Sequence, residues 1–425
     1  HMRTAIIGDA LKRMFLHLGF EVESDTHMGD WGTQFGYLIL AYKRFGEVND
    51  KLYAQLNADE SARNEAKQEF VKLEQGDSEN RKIWQGLVDE SVKKFLSFAE
   101  EFGLLPFEHH WPESFYEDKM PAVIEKLKEL ELLETSQGAQ VVNLEKNGLG
   151  VAIIIKSDGG TTYLLRDLAT FLFAKQQGFS KHLYVVDNRQ ALHYRQLFAI
   201  LKLVGEIREA GEVGGAEGVH ISYGFVSFKG EALSTRKGNM VLAEDLLAQA
   251  QQRVARIIEE KNPELANKQE VVKAVALAAL KYFDLKHNRH SDIEFDWNQV
   301  LDFEGNSGPY LQYTHARLAS ILRKAEKVRG VRGVRGVTST EHRVLFLSSI
   351  LDEKVEEAVQ DYLPNVFANY LYELASEVNK FYHESPVIAE KDEDKKNFRL
   401  ALVQKAKESL AKGLDLLGIK ALEEM

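Results

Sequence analysis

Three short segments of this sequence combine residue types suited to binding chemistry. In Lys229-Gly-Glu-Ala-Leu-Ser-Thr-Arg-Lys-Gly-Asn239, two hydroxyls, two adjacent cations and a glycine stand together where a strand gives way to a helix. Such a loop suits a polyphosphate, because Lys and Arg neutralise charge on phosphoryl oxygens while glycine lets the backbone approach closely. The plainer reading is an exposed basic turn. Tyr163 and Asp167 lie four apart at a strand-to-helix junction. A carboxylate beside a phenol suits a planar guanidinium, which presents paired donors in a fixed fork, whereas the structural alternative makes Asp167 a helix N-cap. In His27-Met-Gly-Asp-Trp-Gly-Thr-Gln-Phe-Gly36, polar groups and glycines crowd one turn. Here the alternative is that Trp31 and Phe35 anchor a connection while the polar groups face water.

The elements that must position these groups follow from hydrophobic spacing. Ile6, Ile7, Ala10, Leu11, Met14, Phe15 and Leu18 predict a helix over Arg3–Leu18, closed by Gly19, with a short extended piece at Phe20–Val22. Residues 49–130 read as a helical insertion with Phe70, Leu73, Ile83, Leu87, Val92, Phe95 and Phe102 in its core. Val151–Lys156 and Thr161–Leu164 flank Ser157-Asp-Gly-Gly160 and predict a hairpin. Strand His182–Val186, helix Arg189–Val204, strand Val219–Phe228 and a helix from Glu244 then alternate, which implies a parallel sheet covered on both faces. Beyond about Leu265 strand signals stop and only helices are expected, the last with Phe398, Leu402, Ala406, Leu410 and Leu414 as its packing stripe. The reading is thus an α/β Rossmann-type domain over 1–265 and an all-α bundle over 266–425.

Composition narrows the function classes. With no cysteine, disulfides and thiolate zinc sites are excluded, and no protein-bound metal is expected. No apolar run is long enough to cross a bilayer, no secretory signal opens the chain, and a cytoplasmic location is the expectation. The net charge of −11 argues against a uniformly basic surface, yet Arg317, Arg323, Lys324, Lys327, Arg329, Arg332 and Arg335 face only the acid Glu326 across residues 313–336. This patch is either a solvated helix face or a surface for nucleic acid.

Taken together, the segments resemble the arginyl-tRNA synthetases of class I along nearly the whole chain and in the right order. The resemblance rests on Arg3-Thr-Ala-Ile-Ile-Gly-Asp-Ala10, His27–Gly36, Tyr163-Leu-Leu-Arg-Asp-Leu-Ala169, Leu233-Ser-Thr-Arg-Lys-Gly-Asn239 and Asp302-Phe-Glu-Gly-Asn-Ser-Gly-Pro-Tyr-Leu-Gln-Tyr-Thr-His-Ala-Arg317. It implies that arginine is activated with ATP, magnesium accompanying the nucleotide, and that arginyl-adenylate passes its acyl group to tRNA. The same resemblance assigns Tyr163, Asp167 and Gln190 to arginine, Gly29, Asp30 and Gly238 to ATP, and Ser234, Arg236 and Lys237 to the loop that stabilises the transition state. The helical C-terminal part becomes the anticodon-binding domain, with Tyr310, Tyr313, Arg317 and Arg323 toward tRNA, and a monomer is expected.

Two departures qualify the match. The class I loop usually reads Lys-Met-Ser-Lys-Ser, whereas here Ala232 and Leu233 stand first and Arg236 fourth, leaving Lys237 and Lys229 as candidates for the missing lysine. The family's His-x-Gly-His signature is expected just before Arg3. His1 is either its last histidine, with a catalytic role, or a vector remnant, and the expectation is that the chain alone is inactive or impaired. A non-catalytic tRNA-binding relative and a nucleotidyltransferase for a small metabolite are the other readings.

Overall fold

Ile6, Ile7, Ala10, Leu11 and Met14 form the buried face of helix α1 (Met2–His17) in the computed structural model, which describes residues 2–207, 216–228, 231–232, 242–325 and 336–425. The helix is embedded because apolar residues recur at its 3.6-residue period and meet apolar partners on more than one side. After a loop come α2 (Thr33–Phe45), α3 (Asp50–Ala58), α4 (Glu60–Glu74) and α5 (Ser78–Glu101). Asn49, Asp59 and Asp77 cap the last three of these by accepting backbone N–H groups of the first turn. Gly36 lets α2 press onto α4, since a Cβ there would lie 2.0 Å from the Ala66 carbonyl oxygen.

The insertion has its own core of Trp31, Phe35, Ile39, Phe70, Leu73, Trp84 and Val88. Phe70, Leu73 and Phe102 are buried as expected, whereas Ile83, Leu87, Val92 and Phe95 are only half-buried because α5 turns Trp84 and Val88 inward instead. The insertion ends earlier than 130. Helix α6 (Met120–Glu129) places Met120, Val123 and Leu127 in a different core, against the α/β unit.

Strands β1 (Leu133–Ser136), β2 (Ala139–Asn143) and β3 (Val151–Ile155) form an antiparallel sheet in that order. The expected strand Thr161–Leu164 is corrected: a single bridge joins Ile155 to Thr161, and the chain then enters α7 (Tyr163–Gln176). Helix wins there because Leu164, Leu165, Leu168 and Phe171 are buried together at helical spacing and the Thr162 hydroxyl caps the first turn. β4 (Lys181–Asp187), α8 (Ala191–Leu203) and β5 (Glu217–Tyr223) form the expected crossover, with β4 and β5 parallel and in register from Lys181↔Glu217 to Asp187↔Tyr223. Successive β4 side chains point to opposite faces, so Leu183 and Val185 join the core under α1 while Tyr184 and Val186 join the core under α8.

The expected strand Val219–Phe228 is split. Gly224 interrupts it where a Cβ would lie 2.5 Å from the Ser291 carbonyl oxygen, and the chain resumes as β6 (Val226–Phe228), paired antiparallel with β7 (Glu231–Ala232). Helices α9 (Ala243–Lys261) and α10 (Lys268–Leu285) follow, then β8 (Ile293–Phe295), which pairs in parallel with β6. Strand structure therefore continues past Leu265, contrary to the sequence reading, because three residues are too few to carry a periodic signal. After α11 (Trp297–Val300) the described residues form only helices and their connections: α12 (Gly308–Lys324), α13 (Ser339–Leu347), α14 (Leu351–Gln360), α15 (Pro364–Glu384) and α16 (Glu393–Leu416). Leu402, Ala406, Leu410 and Leu414 are buried as the stripe of α16, with Phe398 half-buried at its start.

A polar joint ties these parts to α1. Lys281 of α10 donates from Nζ to the carbonyls of Gly103 (3.2 Å) and Gly418 (2.6 Å). Arg13 donates to Asp9 at 2.8 Å and reaches Asp415 at 3.3 Å, while Asp9 also accepts the backbone N–H of Leu105 at 2.7 Å. Nearer the start of α1, Arg3 is buried in an ion pair with Asp284 at 3.0 Å and donates to the Gly224 carbonyl at 2.7 Å.

Candidate active site

The turn after α1 is clamped from two sides. Trp31 packs edge-on against Phe70 and Trp84, and the Trp84 indole donates to the Asp30 carbonyl at 2.7 Å. On the other side the segment 109–114 runs alongside: Thr26 N–H donates to the His109 carbonyl, Trp111 N–H to Asp25 Oδ1 and Glu113 N–H to the Met28 carbonyl. Trp31 does anchor the connection, but the polar groups do not all face water. Asp30 is buried and accepts from Ser114 twice, at 2.8 Å from N–H and 2.6 Å from Oγ. Burial outweighs these bonds and raises the Asp30 carboxyl above its ordinary range. Both of its oxygens hold Ser114 of the 109–114 segment in place. Gly29 lies beside it, where a Cβ would stand at an ordinary contact of 3.4 Å from Glu113 Oε1.

Asp167 faces this turn from α7. The N-cap reading is excluded, because Thr162 fills that position and Asp167 lies in the second turn. One of its oxygens is 2.5 Å from His193 Nε2 of α8, and the other is 3.6 Å from His27 Nε2. His27 in turn has Nδ1 3.6 Å from Asp25 Oδ2. Burial alone would raise Asp167, but the two imidazoles outweigh it and hold the carboxyl below its usual range. Burial likewise opposes charge on His27, yet the bonds and charges of Asp167 and Asp25 win and raise it to about 10.

A second carboxyl completes the wall. Glu113 is raised to about 7 by burial, against the pull of Arg166 and His27. Arg166 Nη1 lies 3.5 Å from Glu113 Oε2, and its guanidinium stacks over the Tyr163 ring at 5.3 Å. Tyr163 stays half exposed, and burial raises its hydroxyl above the ordinary phenol range. Gln190 is exposed at the N-terminus of α8, one turn before His193, in the 3-10 turn that Asp187 caps. The structure thus brings Tyr163, Asp167 and the α8 start carrying Gln190 to the carboxyl end of β4. It adds His27, Glu113 and His193, to which the sequence reading gave no role. His193 had a signal in its three-residue spacing from Gln190, whereas Glu113 had none. An anionic recess of this kind, with one carboxylate held ionised and a second near neutrality, suits a cation with several donors.

His1, Lys229, Ser234, Arg236, Lys237 and Gly238 lie outside the described residues, as do Lys327, Arg329, Arg332 and Arg335. On α12, Tyr310 is bonded to Asn379 at 2.9 Å, and Arg317 lies between the rings of exposed Tyr313 and Tyr382, 4.8 Å from each. Arg323, also expected to face tRNA, pairs with Glu424 at 3.2 Å and donates to the Glu423 carbonyl at 2.9 Å.

Comparison with known proteins bears on this geometry. Residues 1–297 match the family model for the catalytic domain of class I tRNA synthetases (R), and residues 311–425 match the DALR anticodon binding domain. The chain is 38% identical to an arginine–tRNA ligase of Alkaliphilus metalliredigens, over all of this chain and 77% of that protein. Among solved structures, arginyl-tRNA synthetase of Plasmodium falciparum superposes with TM-score 0.81 at 27% identity, covering all of this chain and 74% of that one. The Thermus thermophilus arginyl-tRNA synthetase does so with TM-score 0.79 at 26% identity, covering 79% of its chain.

Proposed function

The chain belongs to the class I arginyl-tRNA synthetases, and from that premise we propose that it joins arginine to tRNA at the expense of ATP, with Asp167 as the group that selects arginine. The observation that carries the reading is an ionised Asp167 carboxylate at the carboxyl end of β4, one helical turn from Tyr163 and facing Glu113. In an open α/β sheet, ligands gather at those strand ends. Tyr163 and Asp167 hold the guanidinium, and Gln190 closes the pocket from α8. Lysine carries no planar fork, so it leaves buried acceptors unpaired and is rejected by a factor that reaches about 10⁴ or more.

The chemistry itself needs little from acid–base groups. Arginine's carboxylate is already ionised when it attacks the α-phosphate, so the protein's work is alignment and stabilisation of charge. Ser234, Arg236 and Lys237, with Gly238 allowing close approach, are assigned to that charge. Magnesium enters as the counter-ion of ATP, and monomeric action in the cytoplasm completes the reading. Tyr313 and Arg317 are proposed to meet tRNA by stacking and charge, with Tyr310 behind them. A purely RNA-binding role leaves the anionic recess without a task.

The test is arginine-dependent exchange of pyrophosphate into ATP, measured with and without arginine tRNA. Exchange that prefers arginine over the other amino acids is expected. Exchange driven better by another amino acid overturns the reading.

A further inference from the structure

His27 reaches Asp167 by an unusual route. Its backbone is bent to φ 40°, in the left-handed region where glycine is the relaxed choice. The bend places the ring between two carboxylates on different segments, with Nδ1 3.6 Å from Asp25 and Nε2 3.6 Å from Asp167. Tyr116 packs against the ring at 5.8 Å, Asp30 of the same turn and Glu113 act on it by charge, and His193 holds the far oxygen of Asp167. Every ionisable carboxyl around the ring favours its positive form. A protonated imidazole here is a planar cation with two N–H donors, placed against the carboxylate that Tyr163 accompanies on α7.

We propose that the protonated His27 ring makes to Asp167 the same kind of contact as a guanidinium, so that arginine and the His27 proton compete for this carboxylate. The inference rests on the reading of Asp167 as the arginine-selecting group. Two cations sharing one carboxylate in a partly buried recess repel each other. The guanidinium does not give up its proton in a protein, whereas imidazole does. His27 therefore yields. Its proton passes to the solvent buffer, and the neutral ring remains beside Asp25 or turns away. The charge on this ring, raised to about 10, persists above neutrality, so the exchange operates at and above pH 7.

The consequence is a linkage between arginine and protons that belongs to one side chain. Arginine binding to the protein should strengthen about tenfold between pH 7.5 and 8.5, with release of about one proton as measured by calorimetry in buffers of different ionisation enthalpy. In His27→Gln, the same measurements should give binding that is nearly flat over that interval. Arginine's own amino group titrates in both proteins and cancels in the difference, whereas Glu113 loses the pull of His27 in the variant and moves up, so the direct readout of the ring decides between the two groups. A second readout needs no variant. The ¹⁵N resonances of the His27 ring at pH 8.5 should report both nitrogens protonated without arginine and a neutral ring at saturating arginine. Equal pH dependence in parent and His27→Gln, or a ring that stays doubly protonated with arginine bound, overturns the proposal while leaving the arginine reading intact. Failure of arginine to bind either protein overturns that reading and the proposal with it.

Discussion

His193 Nε2 lies 2.5 Å from Asp167 Oδ2, which joins the second turn of α7 to the first turn of α8 across the carboxyl end of β4. The contact fixes the carboxylate from behind and leaves its other oxygen toward the His27 turn. Asp167→Ala should therefore raise the arginine KM by at least about a hundredfold, the usual loss when one partner of a buried charge contact is removed. The ATP KM should stay near its parent value. Pyrophosphate exchange measured against each substrate in turn checks this, and equal rises in both constants would count against a guanidinium role.

Lys281 makes a pH prediction of definite sign. Burial holds its ammonium down to about 8. Between that value and the ordinary lysine value the unfolded chain binds the proton and the folded chain does not, so this group's contribution to stability falls as pH drops toward 8 and grows as pH rises. The slope is at most about 1.4 kcal/mol per pH unit. His27 acts in the opposite sense, because its raised value favours the folded state most below its unfolded pKa and loses that advantage as pH rises toward 10. The stability of the parent minus that of Lys281→Met should thus increase from pH 8 to pH 10. Chemical denaturation at the two pH values decides, and a constant difference would contradict the placement of Lys281.

Two glycines in helices should respond to alanine with opposite signs. At Gly308 a Cβ would lie 2.2 Å from the Ala278 carbonyl oxygen, so Gly308→Ala forces α12 away from α10 at a cost of about 1–3 kcal/mol. At Gly86, inside α5, a Cβ meets nothing within 4 Å, and Gly86→Ala should stabilise by roughly 0.5–1 kcal/mol. Thermal melts of both variants against the parent test the pair.

The α12 surface predicts unequal roles for its two arginines. Tyr313→Ala removes an exposed ring that brackets Arg317 and should weaken tRNA binding by about 1–3 kcal/mol, the usual value of a base-stacking aromatic. Arg323→Gln should leave both the affinity and its salt dependence nearly unchanged, since Glu423 and Glu424 already neutralise this guanidinium. Titrations at several salt concentrations separate the outcomes, and a shallower salt slope for Arg323→Gln would show it to be a phosphate contact.

What the sequence made legible follows from the range of the forces involved. Helix α1, strand β4 and helix α8 are set by local periodicity and stand within a few residues of their expected bounds, whereas β5 ends at Tyr223, short of the expected Phe228, and the α16 stripe is buried from Leu402 on. Strands β1 and β2 were missed although they pair locally across the Gln137-Gly138 turn, because each is short and lacks clear alternation, and β8 because three residues carry no period and its partner β6 is distant in sequence. Thr161–Leu164 was misread because a β-branched pair after a glycine turn resembles a strand, while the buried face that makes α7 a helix is visible only with the rest of its core in place. In the site, the spacing of Tyr163 and Asp167 left a guanidinium pocket and an N-cap both open, and the fold removes only the second, because Thr162 takes the cap. The setting of Asp30 could not be read from the sequence, because only the fold reveals Ser114 opposite it. Glu113 has no local signature at all: its burial and its neighbours Arg166 and His27 come from three separate segments.

Helix α1 gives the molecule a shared wall. Its apolar face enters the same continuous core as α9, α10 and α12 to α16, while the insertion around Trp31, Phe70 and Trp84 is packed independently. Cooperativity should divide along that line and not at the border between the two matched family regions. Heating should melt α1 together with the C-terminal helices as one unit, with the insertion free to open at a lower temperature without them.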